Sequence, residues 1–239
     1  MRSYLDRERN KVAKRKITMK ANPDKRNVQR HYNTLAAGYS DLTNKYCQER
    51  YKKLINHYAK HTGSILDIGC GDGQILKAIW GEVKVGTDIS KEICRSAKIC
   101  DFLLTLADSE HLPIKNNYFD MVTCINVVEH VSNVDSLIKE AKRVLKKRGL
   151  LIIITPNGDI EFLLDIADSL KLKVPEGPHK FLKTKELVEM IMSNDLKILS
   201  KDKMITIPRG PYYLIRLGEL LEKKFKGICF FEFVVAEKV

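Results

Sequence analysis

Three glycines and a spaced set of carboxylates are the residues in this sequence best suited to chemistry. Gly69, Gly71 and Gly73 directly follow the short apolar run Ile65-Leu66-Asp67-Ile68 and open a helix predicted from Gln74 to Trp80. Glycines there let the backbone curl tightly and approach a ligand with no Cβ in the way. The amides at the start of the following helix then face that ligand. Asp88 ends the next run, Val83–Asp88, and a carboxylate at such a strand end can accept both hydroxyls of a ribose. Asp108 ends a third run, over 102–107, where it can hold an adenine amino group. Taken alone, each strand-end aspartate reads as a helix cap. Taken in order along one sheet edge, the three read as a site. A nicotinamide dinucleotide would want G-x-G-x-x-G. Here the spacing is G-x-G-x-G, the sixth position is Gln74, and Asp67 and Asp72 flank the loop. Two acids are poor company for a diphosphate and good company for a ligand bearing an amino group and a sulfonium.

The elements that must position these residues alternate. Strands are predicted at 65–68, 83–88, 102–107, 119–125 and 150–155, with helices at 74–80, 90–98 and 134–146 between them. Strands alternating with helices form a parallel sheet covered on both faces. Right-handed crossovers bring every strand's C-terminal end to one edge, so Gly69–Gly73, Asp88, Asp108 and Ile125–His130 share one crevice. Upstream, 28–60 reads as helical with a break at Gly38. Downstream, the sequence predicts a helix at 184–192, a strand at 197–199 or 204–207, a helix at 212–225 and a strand at 230–237, with turns at Gly210-Pro211 and Gly227. The apolar stretch 162–172 reads as a helix packed on the domain, with a lid or membrane-touching flap as the alternatives.

The 239 residues carry a net charge of +12, with 44% hydrophobic and 30% charged residues, which excludes collagen-like, mucin-like and fully disordered chains. The longest aliphatic run, Leu150–Ile154, is far short of the ~20 residues that cross a bilayer. No apolar export signal follows the basic start, which implies a cytoplasmic protein. The 6 cysteines form no CxxC pair and read as reduced, buried side chains. Residues 1–30 hold a net +8 of the positive charge. A basic arm over 1–27 either finds phosphate, on a nucleic acid or an anionic membrane surface, or is a solvated tail.

ILDIGCGDGQIL (65–76), VGTDIS (85–90), ADSEHLP (107–113), FDMVTCINVVEHV (119–131) and LLIIITPNG (150–158) resemble the successive motifs of class I S-adenosylmethionine-dependent methyltransferases. Within that family, 174–191 is similar to the quinone-biosynthesis O-methyltransferases, and HYNTLAAGYSDL (31–42) to the helix that lids the cofactor. The resemblance implies an α/β fold: a doubly wound, mostly parallel seven-stranded sheet whose last strand, 230–237, is antiparallel. It implies one domain over 28–239, with lid helices at 28–60 and acceptor-side insertions at 157–230. It also implies S-adenosylmethionine as cofactor and a small, partly apolar methyl acceptor, methylated at O, N or C. The alternative partner is an RNA such as tRNA, reached through the basic arm.

By the same resemblance, Asp67, Gly69, Cys70 and Gly71 line the methionine part of the cofactor. Asp88 holds the ribose, Ile89 meets the adenine face, and Asp108 and Ser109 meet its edge. Ile125 and Asn126 lie beside the sulfonium, while Tyr39 and Arg50 reach the cofactor carboxylate from the lid. His130 and His179 are the candidates for a general base, His130 being equally readable as a helix cap or loop holder and His179 as a surface loop residue. His111 reads as scaffold beside Pro113. Some relatives bind a divalent metal through a carboxylate-x-x-Glu-His pattern. Here Asn126 replaces the first acid and leaves only Glu129 and His130, so no metal is expected.

Overall fold

The computed structural model describes residues 23–39, 45–60, 62–96, 101–169, 177–204, 222 and 229–239. The arm over 1–22, the helix at 212–225 except Glu222, and the turns at 210–211 and 227 lie outside the described residues. The elements in chain order are α1 (Lys25–Leu35), α2 (Lys45–Tyr58), β1 (Ser64–Ile68), α3 (Gln74–Ala78), β2 (Val83–Asp88), α4 (Lys91–Ser96), β3 (Leu103–Leu106), β4 (Phe119–Ile125), α5 (Val134–Val144), β5 (Leu145–Pro156), α6 (Glu161–Ser169), α7 (Thr184–Ser193), β6 (Leu196–Met204) and β7 (Phe231–Lys238).

The seven strands form one sheet in the order β3-β2-β1-β4-β5-β7-β6. The pairs from β3 through β5 are parallel, and β7 runs antiparallel to both β5 and β6. This is the doubly wound, mostly parallel sheet with an antiparallel last strand that the sequence implies. The order reverses between β1 and β4, which opens a crevice outside their C-terminal ends.

Side chains that alternate along each strand feed two cores. Leu66, Ile68, Val122, Cys124, Leu151, Ile153 and Val234 pack with Leu137 and Ala141 of α5 and Leu187 and Ile191 of α7. On the other face, Ile65, Met121, Ile152, Ile154 and Val235 pack with Tyr51 and Ile55 of α2, with Leu76 of α3 and with Ile79 just after it. Continuous aliphatic runs such as Leu150–Ile154 are what a strand covered on both faces requires.

Three boundaries differ from expectation. The first helix begins at Lys25, not 28, because Asp24 is in extended conformation and its carboxylate caps the Asn27 amide. β5 begins at Leu145, where α5 ends, and its register shifts between Phe119 and Met121. β6 is one strand over 196–204 that contains the expected 197–199 piece, and positions 205–207 of the alternative lie outside the described residues. Its sequence, LKILSKDKM, is polar because it is an edge strand with one neighbour. In α6, Leu164 is buried while Phe162 is exposed, and positions 170–172 of that stretch lie outside the described residues. No helix among the described residues is long and apolar enough to cross a membrane.

Candidate functional site

A cavity of about 250 Å³ opens at the C-terminal edge of the sheet. Its floor comes from the strand ends and its roof from α1 and α2. The β1 turn carries its glycines with positive φ, +70° at Gly69 and +57° at Gly71, a region costly for any residue with a Cβ. At Gly69 a Cβ would sit 2.2 Å from the Val127 side chain, and at Gly71 it would sit 2.7 Å from the Tyr39 ring. The Gly69 and Cys70 amides donate to the Thr87 carbonyl, tying this turn to β2.

Asp88 locks the turn from the other side. Its Oδ2 accepts from the Gly71 amide at 2.9 Å and its Oδ1 from the Ser90 amide at 2.8 Å. Burial raises its carboxyl above the ordinary value, opposed by those amides. A carboxylate offers about four lone-pair sites, so capacity for two ribose hydroxyls remains. Asp67 is buried, its Oδ1 accepting from the Thr123 hydroxyl at 2.7 Å. Burial pushes its carboxyl up to about 7, with a further push from the Asp88 charge. Tyr39 is pushed far above the usual phenol by burial and by Asp88 and Asp72.

At the end of β3, Asp108 accepts from the Glu110 amide and pairs with Lys25 at 2.7 Å, and Lys25 also reaches Glu110 at 3.1 Å. Burial raises the Asp108 carboxyl, but Lys25 and the Glu110 amide outweigh it and hold the group below the ordinary carboxylate value. Ser109 and Ile89 line the same end. The Ile89 carbonyl accepts from Gln29 at 2.8 Å, and Asn33 accepts from the Ser90 hydroxyl at 2.7 Å. Lys25, Gln29, Tyr32 and Asn33 share one face of α1, and that face spans the crevice.

Past β4 the lining changes to rings and amides. Ile125, Asn126 and His130 line this end together with Tyr32, Tyr51 and Phe231. Asn126 adopts φ +53°, held by its amide donating to the Ile154 carbonyl. The Tyr51 ring meets Phe231 edge-on at 5.9 Å. Tyr51 Oη, Thr87 Oγ1 and Asn126 Oδ1 are buried without a hydrogen-bond partner among the described residues. Buried polar groups are nearly always paired, so these three point to a ligand.

Thus the structure gathers Tyr39, Asp67, Gly69, Cys70, Gly71, Asp88, Ile89, Asp108, Ser109, Ile125, Asn126 and His130 at one cavity. Arg50 and His179 do not line it. The Arg50 guanidinium is held by both carboxylate oxygens of Glu222 at 2.7 and 2.8 Å, so its reach to a cofactor carboxylate is not seen. The His179 ring packs on Phe181, with Nδ1 donating to the Gly177 carbonyl. The turn offers the Pro178 carbonyl to His130 Nδ1 and sets the His179 ring edge-on to His130 with centroids 6.3 Å apart. His111 is largely exposed rather than packed as scaffold. Sequence reasoning missed Lys25, Tyr32 and Tyr51. For the first two, a signal was available in Asp24 as a cap and in the 25, 29, 32, 33 spacing. Among the described residues no three His, Cys, Asp or Glu side chains gather as a metal site.

The lining fits a cationic adenosyl ligand. Asp67, Asp72, Asp88, Asp108, Glu110 and Glu129 face the cavity, and Lys25 is the only Lys or Arg among the described lining residues. Residues 66–153 match the family described as a methyltransferase domain. The uncharacterized protein MJ1123 of Methanocaldococcus jannaschii is 34% identical over 158 residues, covering 65% of this chain and 76% of that protein. A ubiquinone biosynthesis O-methyltransferase of Photobacterium profundum is 30% identical over 164 residues, covering 60% of this chain and 69% of that protein. The chain belongs to the class I S-adenosylmethionine-dependent methyltransferases. A ubiquinone biosynthesis O-methyltransferase of Bartonella bacilliformis is 32% identical over 153 residues, or 57% of this chain and 61% of that protein. The chain thus spans about three fifths of that relative's length. The solved structure of a methyltransferase from Thermotoga maritima, a possible histamine N-methyltransferase, has a TM-score of 0.64 at 20% identity. It covers 89% of this chain and is itself covered throughout, so the methyltransferase shares its fold. S-adenosylmethionine is the methyltransferase's cofactor and supplies an electrophilic methyl on a positive sulfur.

Proposed function

We propose that this methyltransferase transfers a methyl group to a small, partly apolar acceptor. The carrying observation is the change of lining along one cavity, from several carboxylates at the β1, β2 and β3 ends to tyrosines and Phe231 beyond β4, where Glu129 is the one carboxylate among the described lining residues. In this reading Asp88 accepts the ribose hydroxyls, with Ile89 against the adenine and Asp108 and Ser109 at its edge. Asp67, Gly69, Cys70, Gly71 and Tyr39 surround the methionine part. Ile125 and Asn126 flank the reacting end, where the protein aligns an acceptor and excludes water. Tyr51 and Phe231 supply apolar surface to that acceptor.

Two further points support a small acceptor over a nucleic acid. Lys25, the cation in the lining, is engaged by Asp108 and Glu110, whereas phosphate binding needs cations to offer. The likeness to a ubiquinone biosynthesis O-methyltransferase favours a ring of limited polarity. Incubating the protein with methyl-labelled S-adenosylmethionine and a host-cell extract tests the reading. Label is expected in small molecules extracted into organic solvent. Label confined to RNA or protein, or no label at all, contradicts it.

A further inference from the structure

His130 and Tyr32 form a directed pair in the wall of the cavity. A carbonyl only accepts, so the 2.9 Å contact between His130 Nδ1 and the Pro178 carbonyl fixes the neutral ring's proton on Nδ1. Nε2 then carries a lone pair, and the Tyr32 hydroxyl, 2.9 Å away, donates to it. The two rings meet edge-on with centroids 5.5 Å apart. The Glu129 carboxylate stands 4.0 Å from Nε2 and accepts from Thr155. The other titratable rings beside the pair are His31 and Tyr39, 5.2 and 6.3 Å from Tyr32, and His179, 6.3 Å from His130. Tyr32 and His130 both line the cavity, so the phenol that is bonded to the imidazole belongs to the wall an acceptor would meet.

We infer that Tyr32 is the catalytic residue that takes the acceptor's proton, with His130 behind it as the group that finally holds that proton, and that the acceptor is a small hydroxyl compound. This rests on the methyl-transfer reading above. The acceptor O–H gives its proton to Tyr32 Oη as Tyr32 passes its own proton to His130 Nε2. The electron pair left on the acceptor oxygen forms the new O–CH₃ bond, and the pair of the broken S–CH₃ bond stays on sulfur. The positive charge lost at sulfur reappears on the imidazolium beside Glu129, so the buried cavity keeps its net charge. Creating an extra buried charge is costly, and this relay avoids doing so. A hydroxyl is protonated at neutral pH and must lose its proton as the bond forms, which is the service this pair provides.

The probe is 4-nitrophenol, whose absorbance separates phenol from phenolate, added to the protein saturated with S-adenosylhomocysteine. The bound probe is expected to ionise about one pH unit below its free value, a tenfold shift in the equilibrium. Tyr32→Phe and His130→Gln should each abolish that shift, while the affinity of Tyr32→Phe for S-adenosylhomocysteine, read by calorimetry, stays within about twofold. An unshifted or raised value in the wild type, no spectral change on mixing, or the same shift in Tyr32→Phe overturns the inference. Failure of the wild type to bind S-adenosylhomocysteine counts instead against the methyl-transfer reading.

Discussion

At the β1–β2–β3 end of the cavity the lining is carboxylate and the bonds are made: the Gly71 and Ser90 amides to Asp88, Thr123 to Asp67, Lys25 to Asp108. At the β4–β5–β7 end rings and hydroxyls surround one carboxylate, Glu129, and Tyr51 Oη and Asn126 Oδ1 are left without partners among the described residues. The first end is largely organised before any ligand arrives, with the Thr87 hydroxyl of β2 still open there, which suits a cofactor met on every turnover. The second leaves unpaired groups for the molecule that varies between relatives, because acceptor chemistry resides in the site and not in the fold.

The sharpest way to break the first end is Gly69→Val. A side chain there meets Val127 and must adopt left-handed backbone, at about 1–2 kcal/mol for the backbone and about 1–3 kcal/mol for overpacking. Affinity for S-adenosylhomocysteine, measured by calorimetry, should fall by roughly two orders of magnitude, since about 3 kcal/mol is lost. Asp88→Ala comes next, weakening the same affinity by about 1–3 kcal/mol because it strands the Gly71 amide and the ribose hydroxyls. Unchanged binding in that variant would remove Asp88 from the site.

A smaller effect follows from pH. Asp67 has its carboxyl raised to about 7, chiefly by burial, so it is largely protonated below neutrality and ionised above. A cationic ligand prefers the ionised form. Affinity for S-adenosylmethionine should therefore rise up to about tenfold as pH climbs through 7, and Asp67→Asn should flatten the profile. The sign for stability is opposite. A raised carboxyl favours the fold while it is protonated, so this contribution is full below the ordinary value of 3.8 and is lost as pH rises toward about 7. Smallest is Tyr51→Phe at the other end. It removes an unpaired buried hydroxyl, so cofactor affinity should stay within about twofold and stability should hold or rise by up to about 1 kcal/mol, read as an unchanged or higher melting temperature.

The same contrast governs how much was legible in the sequence. The cofactor end was readable because its parts are local. A strand, a glycine turn and a helix occupy 64–78, Asp88 ends β2, and Asp108 lies two residues past β3. The end beyond β4 was not, because its wall is assembled from α1, α2, β4 and β7, and single tyrosines in helices read as core. Tyr32 reaches His130 across 98 positions of sequence, and only the packed fold brings them together. Lys25 was hidden in a run of basic residues that reads as an arm. Arg50 was placed by its distance from the glycine turn, which does not specify which way a helical side chain points.

The central claim is that the acidic strand ends hold an adenosyl sulfonium and not a diphosphate. Calorimetric titration of the wild-type protein at neutral pH with S-adenosylmethionine, and in parallel with NAD, tests it most directly. One S-adenosylmethionine per chain with no heat from NAD is the expected result. Saturable binding of NAD, with none of S-adenosylmethionine, would contradict it.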